Sequence, residues 1–177
     1  KEKYPKFKEI KRINGVEVPM VQELINKLPW SSIYKGIPCF MHGDLQFDNI
    51  IYDEGSKTFL LLDWRQDFAG NIDYGDLYYD LAKLYGGMIL NYDLIKLNLF
   101  DYFESNQEIS IDFAQRYKTG DYIKILEEFI HLKEYDLHKV RLIVGLIFLN
   151  MSPLHHAPFD KFLHSLGRLF LHEELSS

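Results

Sequence analysis

The sequence predicts an α+β fold, mainly α, with one small β insert about a third of the way along the chain. Three observations carry that expectation. Apolar residues recur at helical spacing on both sides of residues 38–63. Inside that window they fall instead into short runs of three or four. The stretch Asp53-Glu54-Gly55-Ser56-Lys57 then separates two of the runs as a hairpin turn does. The length of 177 residues suits one ordinary domain, and 47% apolar with 15% aromatic residues is a globular composition.

Taken in order, residues 1–37 read as a charged leading segment of helical character. Met20, Val21, Leu24, Ile25 and Leu28 form its periodic stripe, and Pro29 ends it. Residues 38–63 hold the β runs Cys39–Met41, Ile50–Tyr52 and Phe59–Leu62. From 64 to 177 the chain reads as helix after helix. The last is the clearest, with Phe159, Phe162, Leu163, Leu166, Leu169 and Phe170 on one face. No linker or repeat divides these parts, so a single domain is expected.

Composition narrows the function. A lone cysteine, Cys39, excludes an internal disulfide and any cysteine-based zinc site, and reads as a small strand residue. The net charge of −6 argues against nucleic acid as a partner. Residues 1–40 carry 8 basic and 4 acidic side chains, leaving 12 and 22 for the remainder. The charged N-terminal stretch is unlike a signal peptide, and the apolar run Leu142–Leu149 is short for a bilayer. No membrane partner and a cytoplasmic location are therefore expected. His131, His138, His164 and His172 lie on helical patterns and read as ordinary, and His155-His156 as a surface pair at a helix start.

The chemistry is concentrated in His42-Gly43-Asp44-Leu45-Gln46-Phe47-Asp48-Asn49, a loop between two apolar runs. Asp63 follows the run Phe59–Leu62 and so stands at a strand end, where a hairpin brings it toward Asn49. An amide oxygen and a carboxylate are hard ligands suited to Mg²⁺. Asp44 would sit beside that ion, placed to orient a substrate hydroxyl and accept its proton. The blander alternative takes Asp44 and Asn49 as turn residues only.

The order His-x-Asp, Asn five residues on, Leu-Leu-Asp63-Trp, then Gly75-Asp76-Leu-Tyr-Tyr-Asp80-Leu-Ala-Lys resembles the aminoglycoside phosphotransferase and choline kinase branch of the protein-kinase-like superfamily. The resemblance runs from about Pro38 to Gly86. It implies the C-terminal lobe of a kinase-like fold, with ATP and Mg²⁺ as cofactors and a small-molecule hydroxyl as acceptor. It also implies roles: Asp44 as catalytic base, Asn49 and Asp63 as metal ligands, His42 and Asp80 as supports of the loop. Ile51 and Leu62 would floor the nucleotide pocket. Two positions depart from the branch: Gln46 stands where a second His is common, and Arg65 where a Glu is. Both become candidates for contact with a phosphate or an acidic substrate. Asp63-x-Arg65 together with Tyr79-Asp80-Leu-Ala-Lys83 looks most like uncharacterised members of the branch associated with bacterial capsule and surface-glycan synthesis.

Neither a Gly-rich phosphate loop nor a strand-borne lysine precedes His42. The expectation is therefore that the ATP-clamping N-terminal lobe is supplied separately, in cis or in trans, and that this stretch alone binds Mg-ATP weakly. Two other readings compete. One is a pseudokinase-like scaffold domain, and the other a metal-dependent hydrolase in which His42, Asp44 and Asp63 bind the metal directly.

Overall fold

The computed structural model describes residues 7–177. Its first element overturns part of the helical expectation for the leading segment, of which residues 1–6 lie outside the described residues. Strands β1 (Arg12–Ile13) and β2 (Val16–Glu17) form a hairpin. The reason is the turn: Asn14 and Gly15 both take positive φ, 48° and 80°, which is the two-residue turn whose twist suits a hairpin. Helix α1 (Val21–Lys27) then occupies the predicted stripe and buries Leu24, and a single turn, α2 (Trp30–Ile33), follows Pro29.

The β insert is sparser than expected. Strand β3 (Pro38–Cys39) stops before Phe40, which is exposed. A 3₁₀ turn over Phe47–Asn49 leads into β4 (Ile50–Asp53), which pairs antiparallel with β5 (Thr58–Leu61). The intervening turn is closed by Asp53, whose carboxylate accepts from Gly55 N–H and Ser56 Oγ–H. A short β6 (Gly75–Asp76) pairs back onto β3. These strands are not buried as the sequence suggested: Ile51, Tyr52, Phe59 and Leu60 are all exposed.

Helix α3 (Leu77–Ile89) begins at Asp76, whose side chain caps Tyr78 N–H. It is followed by α4 (Tyr92–Lys96) and then by a second departure from the helical expectation. Strands β7 (Phe100–Glu104) and β8 (Ile109–Phe113) form a hairpin whose inward side chains alternate with outward ones. β8 joins β1 in a four-stranded sheet of order β2-β1-β8-β7. The Asn14 side chain stitches that junction, donating to Ile111 O at 2.9 Å and accepting from Ile111 N–H at 2.8 Å.

Three helices complete the fold: α5 (Thr119–Leu132), α6 (Leu137–Met151) and α7 (Phe159–Ser176). Residues Leu137–Leu154 are long and apolar enough to cross a membrane, with mean hydropathy 1.3, yet half of that stretch is buried against the protein itself. α6 packs mainly on α7 and α3. Their shared core includes Ala82, Tyr85, Val140, Val144, Phe162, Leu163 and Leu171, all buried. Arg168 is fully enclosed too, its guanidinium donating to the carbonyls of Val18 and Pro19 and so tying α7 to the chain ahead of α1. The architecture is α+β, with the helical core lying directly beneath the loop that precedes β4.

Candidate active site

The loop after β3 is fastened from below. Asp80, in the first turn of α3, is buried and its carboxylate accepts from His42 N–H at 2.6 Å and from Gly43 N–H at 2.8 Å. Two buried backbone donors thus find one charged acceptor, among the stronger hydrogen-bonding arrangements available inside a protein. His42 is buried and uses both ring nitrogens. Nδ1 accepts from Asp44 N–H at 3.2 Å, which leaves Nε2 to carry the proton and donate to Leu62 O at 2.7 Å. The ring also lies against Trp64, 4.8 Å between centroids. A hydrolase in which His42 ligates a metal is disfavoured by this arrangement, because neither nitrogen is left over.

Gly43 is required at its position. Its φ is +80°, and a Cβ there would lie 2.7 Å from Arg65 Cβ. Arg65 is drawn in by its own backbone N–H, which donates to His42 O at 2.9 Å, and its guanidinium sits 5.7 Å from the centre of the Tyr79 ring. Burial pushes the Tyr79 hydroxyl above its ordinary pKa; Arg65 opposes that, and Asp44 and Asp80 add to it.

Asp44 is the meeting point of three other side chains. Lys83 Nζ lies 2.6 Å from Oδ1, with the lysine side chain only 8% exposed and the aspartate 25%. Asn49 Nδ2 donates to Asp44 O at 2.9 Å and to Oδ2 at 3.2 Å, and Gln46 Nε2 reaches Oδ2 at 3.4 Å. Lys83 is the residue that sequence reasoning passed over. The signal was present: Lys83 lies three residues after Asp80, so the two share a face of α3, one gripping the loop backbone and the other its carboxylate.

Asn49 and Asp63 stand at the same end of the hairpin. Leu62 N–H donates to Asn49 O at 2.9 Å, continuing the β4–β5 ladder one step beyond the Ile50–Leu61 pair, and Asp63 follows at once. Asp63 takes φ 58°, a left-handed conformation that aspartate tolerates better than most residues. With its NH₂ spent on Asp44, Asn49 keeps its amide oxygen for another partner. That oxygen and the Asp63 carboxylate fit a Mg²⁺ ion in donor chemistry. Among the described residues no three His, Cys, Asp or Glu side chains converge as a metal cluster.

The remaining candidates are spread more widely. Ile51 and Leu62 are 47% and 45% exposed on the hairpin. The Cys39 thiol is pushed up by burial first and then by Asp80 and Asp76, away from the reactive thiolate form. Beside Asp44 opens a cavity of about 340 Å³, which Gln46, Arg65 and Lys83 also line.

Comparison with known proteins gives one positive finding. The family model described as APH, phosphotransferase enzyme family, matches residues 8–107. No curated protein and no solved structure matches the chain.

Proposed function

This chain belongs to the phosphotransferase enzyme family, and on that footing we propose that it is the acceptor-side lobe of a kinase-like fold that transfers the γ-phosphoryl group of ATP to a hydroxyl of a small molecule. The observation that carries this reading is the immobilised Asp44. Its loop is gripped by buried Asp80, its carboxylate is met by Asn49 and Gln46, and a cavity opens beside it. In such a reaction the new bond joins the acceptor oxygen to phosphorus as the bond to the ADP oxygen breaks, and the hydroxyl proton passes to the Asp44 carboxylate. Asn49 and Asp63 would hold Mg²⁺, which neutralises phosphate charge when bound. Positioning and charge placement, not covalent chemistry, do the catalytic work. Lys83 occupies Asp44 Oδ1 in the structure, so an entering hydroxyl must share or displace that ammonium.

The test is a screen of hydroxyl acceptors with ATP and Mg²⁺, followed by ³¹P NMR of the product. Asp44→Asn is expected to lower turnover by about 10²–10⁴-fold, the usual share of a general base. An Asp44→Asn protein as active as the parent would overturn the assignment. The second reading, a recognition domain without transfer, draws on the same Lys83–Asp44 ion pair, which covers one oxygen of the base. Binding of an acceptor with no phosphorylated product under any donor would favour it.

A further inference from the structure

The cavity beside Asp44 has an unusual charge balance for this protein. Its walls carry three cations, Arg65, Lys83 and Lys96, against two carboxylates, Asp44 and Asp48. The chain as a whole has net charge −6. The cations are also unequal in their commitments. Lys83 is spent on Asp44 at 2.6 Å. Arg65 and Lys96 have no carboxylate within ion-pair distance among the described residues.

Those two stand on separate elements, Arg65 just past β5 and Lys96 at the end of α4. Arg65 is held in place by its backbone bond to His42 O, by the close approach of Gly43 and by the Tyr79 ring. A guanidinium positioned in this way, unpaired, and looking into a cavity with a second free cation is suited to an oxyanion. Tyr92, also on α4, lines the same cavity, and its hydroxyl is kept protonated by burial and by Asp44 and Asp48. That hydroxyl donates to Met151 Sδ at 3.6 Å, so Tyr92 adds no competing negative charge.

Resting on the phosphotransferase reading above, we infer that the acceptor is an anionic small molecule: a polyhydroxylated compound already bearing a phosphate or carboxylate group. Arg65 and Lys96 bind that group while a hydroxyl of the same molecule faces Asp44. A cationic amino sugar would place its charge against the same two residues and be repelled.

The experiment is binding, by isothermal titration calorimetry on the whole chain without ATP. Four probes share one ring: glucose 6-phosphate, glucuronate, glucose and glucosamine. At least one anionic probe is expected to bind ten-fold or more tightly than both glucose and glucosamine. Preference for glucose 6-phosphate identifies phosphate as the recognised group, and preference for glucuronate identifies carboxylate. Arg65→Gln is expected to cut that preference at least three-fold, and Lys96→Gln, at an exposed position that tolerates change, to weaken it in the same direction. Equal binding of all four, no detectable binding of any, tighter binding of glucosamine, or a preference that survives both substitutions would each overturn the inference. Because no turnover is read, such a failure leaves the Asp44 test of phosphoryl transfer untouched, and failure of that test leaves the binding result standing.

Discussion

The loop that carries Asp44 and the hairpin that carries Asp63 are neighbours in sequence and opposites in physics. The loop is anchored in the core: its backbone N–H groups enter buried Asp80, its histidine is enclosed, and its carboxylate touches a lysine rooted in α3. The hairpin has strands of four residues, and most of its apolar side chains face outward. The ladder, the bonds that His42 Nε2 donates to Leu62 O, Leu62 N–H to Asn49 O and Arg65 N–H to His42 O, and the Trp64 ring against His42 hold its open end in register with the loop. Precision at the base therefore originates in helix α3, while precision at the candidate metal ligands is borrowed from the loop.

Three measurements would break or sharpen that contrast. The largest effect is expected from Asp80→Ala, which leaves two buried N–H groups unpaired at a cost on the order of 3 kcal/mol. Chemical denaturation would read it, and a change under 1 kcal/mol would mean that the loop is held by something else. A smaller effect concerns His164 in α7, whose pKa is lowered to about 4 by burial and then by Arg168. Between its ordinary value near 6.5 and about 4, the unfolded chain binds a proton that the folded chain does not. Stability on the core side should therefore fall as pH falls through that window, by on the order of 2 kcal/mol, and His164→Gln should remove that part of the slope. The smallest effect belongs to the hairpin: Phe59, 68% exposed, should accept serine with a change within about 0.5 kcal/mol. A larger loss would show that the hairpin is packed more firmly than its exposure implies.

The site was more legible than the fold around it. His42, Asp44, Asn49, Asp63 and Asp80 are chemically distinctive, so their order carried the family resemblance that grouped them. Lys83 was not legible, because a lysine on an amphipathic helix looks like any solvated charge until the loop folds over it. The helices with regular apolar stripes, α1 and α7, were visible for the same reason that they pack well. The strands were harder. Asn14-Gly15 is a strong turn signal, but the strands beside it are two residues long, too short for alternation to register. β7 and β8 do alternate, Phe100-Asp101-Tyr102 against Ile109-Ser110-Ile111, yet they interrupt a stretch that is helical on both sides. The exposure of the β4–β5 hairpin could not be read at all, since Ile, Leu and Phe in short runs look buried wherever they occur.

Asn14 has a consequence for the order in which the molecule assembles. Its amide bridges to Ile111 across 97 positions of chain, so the edge formed by β1 and β2 has no partner until β8 has been made. During synthesis that short hairpin must wait, paired only with itself, while everything from α1 through β7 emerges. Closure of the sheet is a long-range contact that waits for β8, and helices α5, α6 and α7, which complete the core, follow it along the chain.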